Sequence, residues 1–434
     1  MKRKAFDDLI KWKNSKERKP LLLYGARQVG KTWLVEEFGK QQYSDFIKID
    51  FEKNAAICKL FDSTLDPKDI IHWIETYTHK KITPETLLFF DEVQACPRAI
   101  TSLKYFCEDA SEYHVIAAGS LLGVALHQGI SFPVGKVNSL NIYPMTFFEF
   151  LDAMNETMLK EELSNITSPV LASFKEKLVE LLRTYFYVGG MPEVVKQYAE
   201  TRNFQDARSV QKRILNDYKE DFSNHIPNDI LAKVYMLWDS IPVQLAKENK
   251  KFVYKEINNK QARAKDYEAA IAWLKDSGLI YPINRLSKPA MPISAYKEEN
   301  IFKIYMSDIG LLCAKTNLDA KVILEGDRLF TEFKGALTEQ FVLQELIIMD
   351  NTDIAYWANA TGDAEVDFVF QINTKIVPIE AKAGINLRAK SLMFYRDTFN
   401  PDIMIRSSLA DYKQTDNLYD IPLYMLENIN SFIA

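Results

Sequence analysis

The sequence predicts an α/β protein built on a parallel sheet, followed by helical and mixed parts, and three observations carry that expectation. Leu21-Leu22-Leu23-Tyr24 is an apolar run of strand length that ends in Gly25-Ala26-Arg27-Gln28-Val29-Gly30-Lys31-Thr32 and passes into a helical pattern at residues 33–38. Thr86-Leu87-Leu88-Phe89-Phe90 is a second apolar run, closed by Asp91-Glu92 about sixty residues after the loop. His114-Val115-Ile116-Ala117-Ala118-Gly119-Ser120 is a third. Short apolar runs separated by helical patterns read as strands buried on both faces of a parallel sheet.

Bulk properties bound the rest. With 434 residues there is room for about three domains of ordinary size. A composition of 47% hydrophobic and 26% charged residues is that of a folded chain, not a disordered one. The formal charge of −5 excludes a uniformly basic nucleic-acid coat and leaves room for a local basic patch. No stretch approaches the ~18 uninterrupted apolar residues of a membrane span, so no membrane partner is expected. Met1-Lys2-Arg3-Lys4 is not followed by an apolar segment, so no secretory signal is expected. Cys58, Cys96, Cys107 and Cys313 form no CxxC pair, and five dispersed histidines give no zinc pattern. A reducing cytoplasm is the expected location.

In chain order, residues 1–19 read as a short amphipathic helix with Phe6, Leu9, Ile10 and Trp12 near one side, and Pro20 leads into the first strand. The loop after that strand has the chemistry of a phosphate cradle. Gly25 and Gly30 let the backbone turn sharply and aim N–H groups at a polyphosphate, and the N-terminus of the next helix adds favourable partial charge. Lys31 would reach the β- and γ-phosphates of ATP, and the Thr32 hydroxyl would join the Mg²⁺ shell. Residues 46–51 alternate as a second strand, and residues 57–79 are mostly helical in pattern. After strand 86–90, Asp91 would hold Mg²⁺ through its waters and Glu92 would polarise the attacking water. A helical pattern at 100–109 precedes the strand at 114–118. Ser120, at its end, either senses the γ-phosphate or caps the following helix. Residues 139–144 read as a further strand.

The loop, Asp91-Glu92-Val93-Gln94, Gly119-Ser120, Phe132-Pro133-Val134-Gly135-Lys136, Tyr143-Pro144-Met145-Thr146-Phe147-Phe148-Glu149-Phe150-Leu151 and Val188-Gly189-Gly190-Met191-Pro192 together resemble a prokaryotic family of AAA-type P-loop ATPases that carry a C-terminal domain of unknown function. That resemblance implies an ATPase core over residues 1–155 and a helical lid over 156–228. Such lids often lend an arginine to the nucleotide; Arg183 and Arg213 are available, and nothing in the sequence chooses between them.

Residues 229–315 show helix, short strand (251–254), helix (262–277) and two strands (279–283 and 301–305), the order of a winged helix-turn-helix. Lys250, Lys251, Lys255, Lys260, Arg263 and Lys265 cluster at its second helix, which fits either a DNA contact or a solvated face of a protein-contact module. The last part, 325–434, carries Glu339 on a helical stretch, Asp367 on an alternating strand, then Glu380 and Lys382 two apart on the next. That order resembles the PD-(D/E)XK nuclease superfamily, with Val366 where a proline is usual. Glu339, Asp367 and Glu380 would then bind Mg²⁺ and Lys382 would activate water. Such folds also persist as binding modules. The expected function is Mg²⁺-dependent ATP hydrolysis coupled to DNA binding or cleavage by the C-terminal domains. The alternatives are a nucleotide-dependent switch with a non-catalytic end module that binds protein or nucleic acid, and a motor that works as a ring of copies, which makes further copies of the chain candidate partners.

Overall fold

The computed structural model describes residues 1–120, 122, 132–165, 168–247, 251–253, 264–325, 331–349, 353–385 and 388–433. The chain forms two compact units, one of Lys2–Tyr143 with Trp273–Leu279 and one of Pro144–Ala272 with Ile280–Ala434. Among the described residues, no helix is long and apolar enough to cross a membrane.

The first unit is built on strands β1 (Leu21–Tyr24), β2 (Asp45–Asp50), β3 (Thr86–Asp91), β4 (His114–Ala118) and β5 (Asn138–Asn141). They lie in the order β2-β3-β4-β1-β5, and every pairing is parallel. The α/β expectation and all five strands are thus present. Parallel strands covered on both faces must be apolar throughout, and β3 is buried from Thr86 to Asp91. Phe90 sits edge-on to Phe51, Phe61 and Phe106, with ring centroids 5.6, 5.9 and 6.2 Å away. Truncating an aromatic so placed costs about 3–5 kcal/mol, so the strand that ends in Asp91 is anchored by its own core residues.

Two local readings change. The helical stretch expected at 57–79 is two helices, Ala55–Ser63 and Pro67–Thr78. Pro67 lacks an N–H and suits only the first turn, and the Asp66 carboxylate accepts from Lys68 N at 2.8 Å, so a new helix starts there. The helix after the loop is longer than its apolar pattern, Lys31–Gln42 instead of 33–38.

The second unit begins with helices, including Phe147–Ala153, Lys175–Val188, Pro192–Thr201, Phe204–His225 and Asn228–Leu245. Thr146 starts the first of them with a capping box: its hydroxyl accepts from Glu149 N (3.1 Å) and Glu149 Oε2 accepts from Thr146 N (3.0 Å). The Gly189-Gly190 turn is tied down by Asp308. One oxygen of this buried carboxylate accepts from Gly190 N at 2.6 Å, and the other caps the helix Ile309–Lys315 through Leu311 N at 2.8 Å. Burial pushes its pKa up to about 6, against those hydrogen bonds. The Thr146 and Gly190 segments thus serve architecture within this unit.

Its sheet comprises β6 (Ile280–Leu286), β7 (Lys297–Met306), β8 (Ile354–Ala358), β9 (Glu365–Ile372), β10 (Lys375–Ala381), β11 (Met404–Ser408), β12 (Lys413–Thr415) and β13 (Leu418–Pro422). The order is β12-β13-β11-β10-β9-β8-β6-β7, with mixed directions. The hairpin expected of a winged helix is present as antiparallel β6–β7, but β6 also pairs in parallel with β8. The hairpin is therefore one edge of the C-terminal sheet, and the sequence boundary between 315 and 325 falls between strands that share it. The second helix of that module is Ala264–Asp276 and carries Lys265. Lys251–Val253 forms no strand, although Phe252 N donates to Phe302 O at 2.8 Å. Lys250, Lys255, Lys260 and Arg263, on which the basic-patch expectation mostly rests, lie outside the described residues, as do Tyr254 and Ala262 at the ends of the expected strand and helix.

Candidate functional site

In the first unit β1, paired on both sides, delivers the loop at the C-terminal end of the sheet, where open parallel sheets place their ligands. Gly25 has φ 137°, and a Cβ there would collide with Ile142 O. Gly30 sits at φ 90° as the left-handed N-cap of Lys31–Gln42. Because Gly30 has no side chain to cap that helix, the first-turn N–H groups face the loop without a side-chain acceptor from the cap position. Ala26, Arg27, Gln28 and Val29 complete the turn, Gln28 in the left-handed region at φ 67°.

Lys31 folds back onto this loop, its Nζ donating to Gly25 O (2.8 Å) and Ala26 O (2.9 Å). Burial pulls its pKa down to about 8, although the charges of Glu92 and Asp91 oppose the fall. The amine is thus a desolvated cation bonded only to carbonyl dipoles, a group that gains when an anion arrives. Next to it the Thr32 hydroxyl donates to Asp91, at 3.1 Å to Oδ2 and 3.3 Å to Oδ1. Asp91 ends β3, and burial raises its pKa despite the pairing with Lys48 described below. A hydroxyl and a carboxylate of the kinds that would help hold a hydrated Mg²⁺ are therefore adjacent. Glu92 follows at φ 49°, a left-handed conformation that a non-glycine residue adopts at a cost and that recurs at functional sites. Its Oε2 accepts from Gln94 Nε2 (2.6 Å) and, over a long contact, from Ser120 Oγ (3.4 Å). Gly25 through Thr32, Asp91, Glu92 and Ser120 are thus gathered at one end of the sheet. Whether Ser120 also caps a helix falls on residues outside the described set.

The second unit brings the C-terminal set together as well. Glu339 lies on the helix Thr331–Ile347, Asp367 on β9, Glu380 on β10 and Lys382 just beyond it. Pairing of Ile379 with Phe368 sets Glu380 beside Asp367, whose Oδ2 accepts from Ala381 N at 2.8 Å. Lys382 Nζ lies 2.6 Å from Glu380 Oε1. Two residues of β7 intrude: Tyr305 donates to Glu339 Oε2 (3.0 Å), and Lys303, fully buried, pairs with Glu365 and lies 3.9 Å from Glu339 Oε2. The four residues expected to form a metal site are thus neighbours. Among the described residues, no group of three or more His, Cys, Asp or Glu side chains is placed so that it could hold a metal ion. Glu339, Asp367 and Glu380 are close in charge but are bonded to protein donors, and they do not fit the near-octahedral oxygen shell of Mg²⁺ as they stand.

Residues 17–151 match the family described as "AAA domain". Residues 179–322 and 334–426 match two families each described as a domain of unknown function, DUF8612 and DUF4143. No curated protein matches the chain. Similar solved structures include the Aeropyrum pernix ORC1 protein in complex with DNA, at 12% identity over 73% of this chain and 91% of that one, with a TM-score of 0.28. The Thermotoga maritima RuvB Holliday junction branch migration motor is similar at 13% identity over 65% and 89%, with a TM-score of 0.29. Cdc6p from Pyrobaculum aerophilum is similar at 12% identity over 72% and 89%, with a TM-score of 0.23.

In the first unit, sequence reasoning missed Lys48. It lies on β2 in register with Phe89 of β3, and its Nζ meets Asp91 Oδ2 at 2.8 Å and Glu36 Oε1 at 3.1 Å. Its signal was the alternation of β2, which puts Phe46, Lys48 and Asp50 on one face, but nothing local says that this face looks at Asp91. Gln94 stands in the quoted Asp91-Glu92-Val93-Gln94 motif, and only the left-handed turn at Glu92 shows that it grips that carboxylate. Arg213, in the second unit, pairs with Glu193.

The depressed pKa of Lys31 has a measurable consequence. A polyphosphate held by Lys31 would raise that pKa again, so above about pH 8 its binding would bring a proton with it, and affinity would fall by up to about tenfold per pH unit. Below pH 8 the amine is already charged and the dependence vanishes. Calorimetry of ATP binding at pH 9, in buffers of different ionisation heat, is expected to show proton uptake approaching one; zero uptake would remove Lys31 from the phosphates.

Proposed function

We propose that the chain binds Mg·ATP at the loop Gly25–Thr32 and hydrolyses it to ADP and phosphate, and that the C-terminal unit is a module governed by the nucleotide, one that binds a partner and does not cut. The observation that carries the first part is the gathering of Lys31, Thr32, Asp91 and Glu92 at the C-terminal end of one parallel sheet. Lys31 releases the Gly25 and Ala26 carbonyls and pairs with the β- and γ-phosphate oxygens. Thr32 and, through water, Asp91 would hold the Mg²⁺. When bound, that ion neutralises charge on the phosphate oxygens. Glu92 accepts a proton from the water whose oxygen bonds to the γ-phosphorus as the bond from that phosphorus to the β,γ-bridging oxygen breaks. Gln94 and Ser120 hold the Glu92 carboxylate where it stands.

What supports a module over a nuclease is the company of the C-terminal carboxylates: each that the sequence offered to a metal is met by a protein donor or ammonium group. DNA is the partner proposed on the strength of Lys251 and Lys265 and their neighbours in sequence. The test is phosphate release by the full chain with ATP and Mg²⁺, which is expected to be sustained and to stop when the metal is chelated, together with DNA that comes through the same incubation uncut. Release at the rate of uncatalysed hydrolysis removes the ATPase; cutting that Asp367→Ala abolishes removes the module.

A further inference from the structure

The least expected charge in the molecule is Lys303. It sits in β7 with none of its surface exposed, and a lysine stripped of water costs several kcal/mol unless strong partners replace the solvent. Its partners are carboxylates from two other elements. Nζ bonds Glu365 of β9, lies 3.9 Å from Glu339 Oε2 on the helix Thr331–Ile347, and stands 4.7 Å over the Tyr356 ring of β8. The charge of Asp367 adds to those of Glu339 and Glu365 and outweighs burial, holding the ammonium protonated. A second ammonium, Lys382, covers Glu380 Oε1 at 2.6 Å. Tyr305 and Ala381 N occupy oxygens of Glu339 and Asp367.

We propose that Lys303 is the built-in counter-ion of this cluster, supplying beside Glu339 and Glu365 the positive charge that a divalent cation would otherwise bring, so that the cluster takes no metal while Lys303 is present. The inference rests on reading the C-terminal unit as a module that does not cut, and it supplies the reason. A divalent ion placed among these carboxylates would face the fixed positive charge of Lys303, which has no surface exposed beside the buried Glu339, so that the repulsion is less screened than in water. It would also have to strip Tyr305 from Glu339. One feature favours a metal: Glu380 Oε2 is buried without a hydrogen bond and is the oxygen an ion would recruit first.

Manganese decides the matter. The nucleotide-free full-length chain is titrated with Mn²⁺ and the free ion is followed by its paramagnetic resonance signal. The wild type is expected to show no saturable uptake that depends on Glu380. Lys303→Gln combined with Glu365→Gln removes one charge of each sign, which spares the fold an unpaired, half-buried carboxylate, and it is expected to bind one Mn²⁺ per chain. Saturable uptake by the wild type that Glu380→Gln abolishes would overturn the proposal. So would a double variant with native circular dichroism that binds none. The wild-type titration stands even if the double variant fails to fold. Phosphate release from ATP, read on the same preparations, keeps a failure of the nucleotide reading separate, because Mn²⁺ is titrated with no nucleotide present.

Discussion

Lys31→Ala is expected to weaken ATP binding by roughly 2–5 kcal/mol, about 30- to 4,000-fold, the usual cost of deleting one member of a desolvated, hydrogen-bonded charge pair. In the nucleotide-free chain the amine already lies inside the loop, bonded to Gly25 O and Ala26 O, so little reordering is needed to turn it onto a phosphate. Alanine removes that charge and leaves the loop's glycines as they are. Stability should not fall in step, because a cation whose pKa burial has pulled down to about 8 is itself a cost to the fold. Calorimetric titration with ATP in Mg²⁺, alongside a denaturant melt, separates the two effects. Unchanged affinity would mean that the nucleotide binds elsewhere.

Glu92→Gln is expected to do the opposite: to leave binding within a few fold and to lower turnover by about 10²–10⁴, the range for loss of a positioned general base. Glutamine keeps the length of the side chain and an oxygen that can accept from Gln94 and Ser120, so the left-handed turn at residue 92 has no new reason to relax. What it loses is the ability to take a proton from water. Phosphate release under single-turnover conditions reads the chemical step alone. Turnover equal to the wild type would hand the base role to another group.

How much of this was legible in the sequence depended on how local the cause was. The loop from Gly25 to Thr32 is contiguous, and its neighbours are fixed by chain geometry, so its residues meet as their spacing implies. Asp91 and Glu92 reached the site because an apolar strand can hardly avoid the sheet's centre, and its end then falls beside the loop. The break at Asp66-Pro67 was also local but hidden, since apolar periodicity continues across it. Lys48 and Lys303 were not readable. Each acts across a strand pairing that no stretch of sequence declares, β2 on β3 for the first and the sheet shared by β7 and β9 for the second. Lys303 was hidden further by its setting, Ile301-Phe302-Lys303-Ile304-Tyr305, which reads as a strand with one solvent-facing lysine. The same non-local pairing of β6 with β8 joined two parts that the sequence had treated separately. The order Glu339, Asp367, Glu380, Lys382 was a guide to proximity, but it omits Lys303, on which the charge balance around Glu339 depends.

The most direct measurement is a crystal structure of the full chain with Mg²⁺ and a non-hydrolysable ATP analogue. The triphosphate is expected to lie along Gly25–Thr32, with Lys31 Nζ moved from the Gly25 and Ala26 carbonyls onto the β- and γ-phosphate oxygens and Thr32 Oγ1 turned from Asp91 to the metal. An analogue bound away from the loop, or one bound there with Lys31 still on its carbonyls, would contradict the account.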